Sequence, residues 1–231
     1  MKISISNNHI VVPVNTVSGP KKAVLDTGAG ATFYTETGID RGEVAGVTFQ
    51  VIGSPFLGFI LPNDLDELVG MHVDGFLGPS FLKASDIAID MSAEDLHMEA
   101  ECPEGASQIH IGDFMGLPIF DMEFNGNKVR AAFDTGNRYP FLKTGLVERF
   151  GLEDTGEMIA DYNPMFGSFT ANVYRGDITI GGKTFRDCQI TACKEYDQAA
   201  SLIGVDAFMG IEPLKESVIW FSYQNSLMAI K

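Results

Sequence analysis

Two aspartates in this sequence stand in nearly identical surroundings. An apolar run leads into the tripeptide Asp26-Thr27-Gly28, and a second apolar run leads into Asp134-Thr135-Gly136. Because glycine lets the backbone turn tightly and approach another segment closely, each tripeptide delivers a carboxylate at the end of a strand. If the two strand ends meet, one carboxyl keeps its proton, since like charges that close do not both ionise. Such a pair supplies a general acid and a general base for activating a water molecule.

The elements that must position these aspartates also occur twice. Phe76-Leu77-Gly78, an apolar pair followed by glycine, has an expected counterpart in Leu202-Ile203-Gly204. Residues 85–90 are in turn echoed by residues 217–222. Three elements that recur in the same order predict two similar halves related by an approximate twofold axis.

The remaining sequence is typical of an antiparallel, mostly β protein. Short alternating or apolar segments such as residues 10–14 are separated by glycine and other turn residues. Helical stretches are few, with candidates at residues 144–150 and 206–214. A turn-like stretch near the middle of the chain predicts two lobes, an N-terminal one over residues 1–103 and a C-terminal one over residues 104–231.

A third copy of the motif, Asp154-Thr155-Gly156, serves as a control. It follows Gly-Leu-Glu rather than an apolar strand, and no apolar pair with glycine comes after it at the matching distance. We therefore expect a surface turn at this position. The surroundings, rather than the bare tripeptide, identify the two candidate aspartates.

Composition limits the classes of partner. The 231 residues include 31 acidic and 16 basic side chains, a formal charge of -15 that repels phosphate backbones and anionic membranes. We therefore expect neither a nucleic acid nor a membrane partner. The apolar runs are too short for a membrane helix, and the chain starts with a strand-like segment rather than an export signal. A cytoplasmic location is the default, and a periplasmic or secreted one is the alternative if a signal peptide was removed.

Cysteine and histidine usage gives no sign of a metal site. The three cysteines, Cys102, Cys188 and Cys193, lack the dense spacing of a disulfide framework. The four histidines lack the spacing of metal ligands. We therefore expect neither a metal ion nor an organic cofactor.

The motifs resemble those of the pepsin and retropepsin clan of aspartic peptidases. The resemblance rests on the two Asp-Thr-Gly segments, on Asp74-Gly75-Phe76-Leu77-Gly78 and on Leu202-Ile203-Gly204, and it spans nearly the whole chain. It implies an all-β, bilobal acid-protease fold, in which two pseudo-twofold-related, β-barrel-like lobes enclose a cleft. It also implies peptide-bond hydrolysis by a water molecule that Asp26 and Asp134 activate together.

The resemblance also assigns supporting roles around the two aspartates. The threonines of the tripeptides would hydrogen-bond across the lobe junction, and an apolar-apolar-glycine element would lie beside each loop. The residues predicted to support the active site are Thr27, Gly28, Gly78, Thr135, Gly136, Asn137 and Gly204.

The residue after each tripeptide departs from the pepsin pattern. Pepsins usually have serine or threonine there, whereas this sequence has Ala29, as in retropepsins, and Asn137. Removing a hydrogen-bond donor from an ionised carboxylate raises its pKa. We therefore expect Asn137 to support Asp134, and we expect activity to extend to mildly acidic or near-neutral pH.

The second half carries extra residues, roughly 153–175, that the first half lacks. Their alternation around a turn at residues 163–167 predicts a β-hairpin. In the resembling family such a hairpin is the flap that closes over substrate, and an ordinary hairpin packed elsewhere is the alternative. Arg138 could instead be a solvated arginine, and Tyr34 could instead be a core residue. The substrate-binding candidates are Tyr34, Arg138, Tyr162, Met165 and Phe166.

The sequence therefore predicts an aspartic endopeptidase that acts on peptide or protein substrates. Because both half-sites lie on one chain, we expect a monomer. A catalytically inactive peptide-binding protein that retains the fold is the chief alternative, favoured by Ala29 and by the short first lobe. A scaffold module has only the general acidity in its favour.

Overall fold

The computed structural model describes residues 1–52, 62–163 and 166–231. Most of these residues lie in short β-strands, because β-branched and aromatic residues alternate between turns. The strands are β1 (Ser4–Ser6), β2 (His9–Thr16), β3 (Gly19–Leu25), β4 (Phe33–Tyr34), β5 (Arg41–Val44), β6 (Val47–Gln50), β7 (Gly75–Leu77), β8 (Ile87–Asp90), β9 (Asp95–Met98), β10 (Gln108–His110), β11 (Gly112–Phe114), β12 (Leu117–Phe124), β13 (Asn127–Phe133), β14 (Phe141–Leu142), β15 (Glu153–Asn163), β16 (Gly167–Ile180), β17 (Lys183–Ala192), β18 (Ala207–Met209), β19 (Val218–Ser222) and β20 (Leu227–Ile230). The helices are α1 (Pro62–Val69), α2 (Pro79–Leu82), α3 (Thr144–Val147) and α4 (Lys194–Ile203).

Each half of the chain builds its own curled sheet. In the first half, β4-β7-β3-β2-β5-β6 form a sheet in which β1 also pairs with β2. In the second half, β11-β12-β13-β18-β14-β17-β16-β15 form a sheet in which β12 also pairs with β16. That extra pairing closes six of the strands into a ring, so the second sheet is a barrel. The protein is thus all-β, with barrel-like lobes.

A third sheet joins the two halves. Its strand order is β10-β20-β19-β8-β9, and it combines three strands from the middle of the sequence with two from its C-terminal end. The two segments that echo each other in sequence pair directly there, because β8 runs antiparallel to β19 with Ile89 opposite Ile219. The sequence predicts the lobe boundary between residues 103 and 104, in the loop between β9 and β10. Trp220 is buried in this sheet, and its indole N–H donates to the Ala100 carbonyl oxygen at 2.8 Å.

The prediction of a helix at residues 206–214 is wrong. The segment contains β18, which pairs in parallel with β13, and then a short 3-10 turn at Glu212–Leu214. Ala207, Phe208 and Met209 are all buried, so pairing in the sheet overrides the local helical preference. The other predicted helix is shorter than expected, since α3 ends at Val147.

The longer helices, α1 and α4, were not among the helical stretches expected from the sequence. In α4, Tyr196 and Ala200 are spaced four residues apart and both face the core, as in an amphipathic helix. The helix ends at Gly204, which has a left-handed φ of 80° and so closes the last turn without strain. No helix in the described ranges is long and apolar enough to cross a membrane.

Candidate active site

Both aspartates stand at the end of a strand that is held by a parallel neighbour. Asp26 follows β3, and its backbone N–H donates to the Leu77 carbonyl of β7 at 3.0 Å. Asp134 follows β13, and its N–H donates to the Met209 carbonyl of β18 at 2.9 Å. The two halves therefore present their aspartates through the same local construction.

The two threonines lock the loops together. The backbone N–H of Thr27 donates to the Thr135 hydroxyl at 3.0 Å, and the Thr135 N–H donates to the Thr27 hydroxyl at the same distance. The Thr27 hydroxyl donates to the Phe133 carbonyl at 2.5 Å, and the Thr135 hydroxyl donates to the Leu25 carbonyl at 2.8 Å. Both threonines are fully buried, so solvent does not compete for these four hydrogen bonds between the two loops.

The two carboxyl groups meet where the loops cross. A Cβ atom on Gly28 would lie 2.7 Å from a carboxyl oxygen of Asp134, and a Cβ atom on Gly136 would lie 2.7 Å from the carboxyl carbon of Asp26. Only glycine permits this approach. The carboxyl groups share a hydrogen bond.

Burial and mutual repulsion keep a proton on this pair. Burial raises the pKa of Asp26 well above its usual range, and the charge of Asp134 raises it further. Burial raises the pKa of Asp134 to about 6, although the Gly136 N–H, 3.0 Å from its Oδ1, and the hydrogen bond from Asp26 oppose the rise. The two carboxyl groups therefore titrate as a unit, which keeps one proton while the other group ionises.

A glycine backs each loop, and the structure corrects the identity of the second one. A Cβ atom on Gly78 would lie 2.5 Å from the Ala31 carbonyl oxygen, while one on Gly210 would lie 2.4 Å from the Tyr139 carbonyl oxygen. Gly210 follows β18 as Gly78 follows β7, so Phe208-Met209-Gly210 is the counterpart of Phe76-Leu77-Gly78.

The segment expected in that role, Leu202-Ile203-Gly204, lies elsewhere. Gly204 caps α4, and a Cβ atom on it would meet no other atom within 4 Å. Leu202 is largely exposed. The prediction fails because a helix end and a strand end can both read as an apolar pair followed by glycine. The sequence signal that was missed is the run of three apolar residues, Ala207 to Met209, directly before Gly210.

Asn137 has a partner that sequence reasoning did not find. Its side-chain oxygen accepts a hydrogen bond from the Tyr196 hydroxyl at 2.5 Å. Its backbone N–H donates to the Asp134 carbonyl at 3.1 Å, and its backbone also helps to lower the pKa of the Asp134 carboxyl. The side-chain nitrogen is buried and has no hydrogen-bond partner in the described part of the chain.

The predicted hairpin is present as β15 and β16. These strands pair antiparallel, with Asp161 opposite Phe169 and Asn163 opposite Gly167. Of its candidate residues, Tyr162 and Phe166 are partly exposed, while Met165 lies outside the described residues.

Arg138 and Tyr162 line one cleft. The cleft has a volume of about 820 Å³ and lies between the hairpin, α1 and the loop before β2. A guanidinium nitrogen of Arg138 lies 3.7 Å from a carboxylate oxygen of Asp161, whose side chain is only 7% exposed. Arg138 is therefore ion-paired rather than freely solvated.

Two further side chains near the aspartate loops are buried. Tyr34 is only 3% exposed and belongs to the hydrophobic core, because β4 pairs with β7, so it is not a substrate contact. His9 is only 2% exposed and lies near the backbone of Gly136 in the second aspartate loop, and its buried Nδ1 has no hydrogen-bond partner among the described residues. Burial, with the charge of Arg138, lowers the pKa of His9 to about 4.

The third Asp-Thr-Gly is isolated from this site. It lies at an irregularity in β15 rather than in the expected turn, and Asp154 is exposed. The Gly156 N–H donates to the Asp154 side chain at 2.9 Å, the same local bond that Gly28 makes to Asp26 at 2.8 Å. The tripeptide alone thus reproduces the local hydrogen bond but not a carboxyl pair.

Within the described residues, no group of three or more histidine, cysteine, aspartate or glutamate side chains is arranged to hold a metal ion.

Comparison with known proteins yields only a distant likeness. No protein-family model matches the chain. No curated protein matches it either. Among solved structures, a retropepsin-like aspartic protease from Rickettsia conorii is similar over 55% of this chain and 89% of its own, with 17% sequence identity and a TM-score of 0.41. A likeness of that size does not assign an activity, so the function must be argued from the geometry.

Proposed function

We propose that the protein is an aspartic endopeptidase that hydrolyses peptide bonds with a water molecule activated by Asp26 and Asp134. The observation that carries this proposal is the carboxyl pair itself, held by exchanged threonine bonds and by glycines that leave no room for a Cβ atom. A buried carboxyl pair costs free energy, since one of its members must stay protonated. That cost is explained if the pair performs catalysis.

The two carboxyl groups have different tasks in the proposed reaction. Asp134 acts as the ionised partner and accepts a proton from the water molecule. At the same time the water oxygen attacks the peptide carbonyl carbon. Asp26 donates its proton to the carbonyl oxygen, which yields a neutral tetrahedral intermediate. The C–N bond then breaks as the leaving nitrogen takes the proton from Asp134, and Asp26 recovers its proton from a hydroxyl of the intermediate.

The hairpin of β15 and β16 is the proposed flap over the substrate. Arg138 and Tyr162 line the cleft beside it, which has room for several side chains of an extended peptide. In the described chain, β15 pairs on one side only, with β16, so its outer edge is open to main-chain hydrogen bonds. The catalytic unit is a monomer, since one chain supplies both aspartates.

Cleavage of a denatured protein and of a peptide library tests the proposal. We expect the wild type to hydrolyse peptides, Asp26→Asn and Asp134→Asn to lose that activity, and a statine-type transition-state mimic to inhibit the wild type. Peptide binding without cleavage by the wild type would instead support the alternative, an inactive peptide-binding protein. The alternative is favoured by one observation: among the described residues, the first half has the very short β5–β6 hairpin where the second half has the long β15–β16 hairpin.

A further inference from the structure

A short chain of hydrogen bonds connects the hairpin to the second aspartate loop. The side-chain nitrogen of Asn163, the last residue of β15, donates to the Tyr196 hydroxyl at 3.1 Å. The Tyr196 hydroxyl donates to the side-chain oxygen of Asn137 at 2.5 Å. Asn137 lies three residues after Asp134, so these hydrogen bonds end in the loop that carries the proposed catalytic base.

The donor and the acceptor of each of these hydrogen bonds follow from the groups involved. The Tyr196 hydroxyl has a single proton, and its oxygen already accepts the bond from Asn163. Its proton therefore goes to the Asn137 oxygen, and the Asn137 NH₂ group is turned away from the hydroxyl. Hydrogen bonds aligned in this way strengthen one another in a buried environment.

The Tyr196 ring is fixed by aromatic neighbours from several elements. It stacks on Phe141 of β14 with a centroid distance of 3.6 Å and an interplanar angle of 8°. It also makes edge contacts with Phe208 of β18 and with Phe166 beside the hairpin turn, at 5.3 and 5.2 Å. Because the side chain is 95% buried, with only 5% exposed, the hydroxyl has a fixed position.

The first aspartate has no such connection. Ala29 stands at the position of Asn137, and its side chain has no hydrogen-bonding group. In the part of the chain that the structure describes, the hydrogen bonds through Tyr196 thus lead to the second aspartate loop, and Ala29 has no side-chain group for an equivalent in the first. The nearness of that loop is also seen in the pKa of Tyr196, which burial raises and the charge of Asp134 raises further.

We propose that Tyr196 is a positioning residue that latches the hairpin onto the Asp134 loop, through the Asn163 side chain on one side and the Asn137 side chain on the other. This inference rests on the proposed function for its catalytic consequence. Opening the hairpin breaks the bond from Asn163 and frees the proton of Tyr196 to turn. Closing the hairpin over a peptide restores the aligned chain, so closure and the placement of the Asp134 loop occur together.

Tyr196→Phe tests the latch, because it removes the hydroxyl and keeps the stacked ring. Tyr174→Phe in β16 is the matched control, a hydroxyl deletion in the same hairpin. We expect amide hydrogen exchange in residues 166–175 to become about five- to tenfold faster in Tyr196→Phe, as for loss of one buried hydrogen bond. Exchange in Tyr174→Phe should stay within twofold of the wild type. Equal exchange in Tyr196→Phe and wild type would overturn the latch.

Turnover supplies the second measurement. In the active enzyme we expect Tyr196→Phe to lower kcat about tenfold with a smaller change in KM, and we expect Asn163→Ala to add little in the Tyr196→Phe background. Additive effects of the two substitutions would contradict a shared hydrogen-bond chain. If the wild type cleaves no peptide, the proposed function fails, and the hydrogen-exchange result alone still decides whether Tyr196 holds the hairpin.

Discussion

The two halves of the molecule share the framework that presents the aspartates and differ in the length of one hairpin. Each half presents Asp-Thr-Gly at the end of a strand that has a parallel neighbour, and each glycine faces the opposite carboxyl group. The hairpins are unequal, since β5 and β6 have four residues each, whereas β15 and β16 have 11 and 14. The framework must match because the two carboxyl groups meet. The hairpins take no part in that meeting and are free to differ.

A second difference lies directly behind the aspartates. Ala29 offers no side-chain hydrogen bond, while Asn137 joins the second loop to α4 and the hairpin. The half with the longer hairpin is thus also the half whose aspartate loop is joined to its hairpin by side-chain hydrogen bonds. Under the proposed function, the first half supplies the acid, and the second half supplies the base and the flap.

The largest effect should separate the paired aspartates from the isolated third motif. We expect Asp26→Asn or Asp134→Asn to lower kcat by about a thousandfold or more, because each removes one partner of an acid–base pair. Asp154→Asn, in an exposed copy of the same tripeptide, should leave kcat within twofold. A comparable loss in Asp154→Asn would show that the tripeptide matters without the meeting of the loops.

A pair of alanine substitutions should separate the true backing glycine from the apparent one. Gly210→Ala places a Cβ atom 2.4 Å from the Tyr139 carbonyl oxygen, so we expect it to lower the free energy of unfolding by about 3 kcal/mol or more. Gly204→Ala meets open space and only strains a left-handed φ, which should cost about 1 kcal/mol. Urea unfolding measures both. Equal losses would contradict the pairing of Gly210 with Gly78.

The sequence was sufficient for the local parts of the site and insufficient for its long-range contacts. An apolar strand that ends in Asp-Thr-Gly is a local pattern, so the two aspartates and the hairpin could be found without coordinates. The partner of β13 could not, because Leu202-Ile203-Gly204 and Phe208-Met209-Gly210 read alike until sheet pairing separates them. The contact between Tyr196 and Asn137 joins residues 59 positions apart, and no periodic pattern encodes such a distance.

The carboxyl pair should destabilise the fold at neutral pH. Burial raises the pKa of Asp134 from 3.8 to about 6, so its contribution to stability is complete below pH 3.8 and is lost as the pH rises through 6. Asp134→Asn removes that loss. We expect the variant to exceed the wild type in free energy of unfolding by about 3 kcal/mol at pH 7 and to match it near pH 3.5. A variant less stable than the wild type at pH 7 would contradict a buried pair whose ionisation costs free energy.

His9 should make the fold less stable as the pH falls, which is opposite to the effect of Asp134. The residue at the equivalent position in the second half provides the control. His9 opens β2, whereas Leu117 opens β12 at the equivalent position. The pKa of His9 is lowered from 6.5 to about 4, so its contribution to stability is complete above pH 6.5 and is lost as the pH falls through 4. Between these values the unfolded chain binds the extra proton.

The substitution His9→Leu copies the second half and removes this loss. It also changes the packing of a side chain that is only 2% exposed, so the informative quantity is the change in stability with pH rather than stability at one pH. Between pH 7 and pH 4 the free energy of unfolding of the variant should rise, relative to the wild type, by roughly 2 to 3 kcal/mol. Wild type and variant curves that run parallel would show that His9 is protonated equally in the folded and unfolded chains. The difference between the two halves would then lie in the length of their hairpins and not in their buried titratable groups.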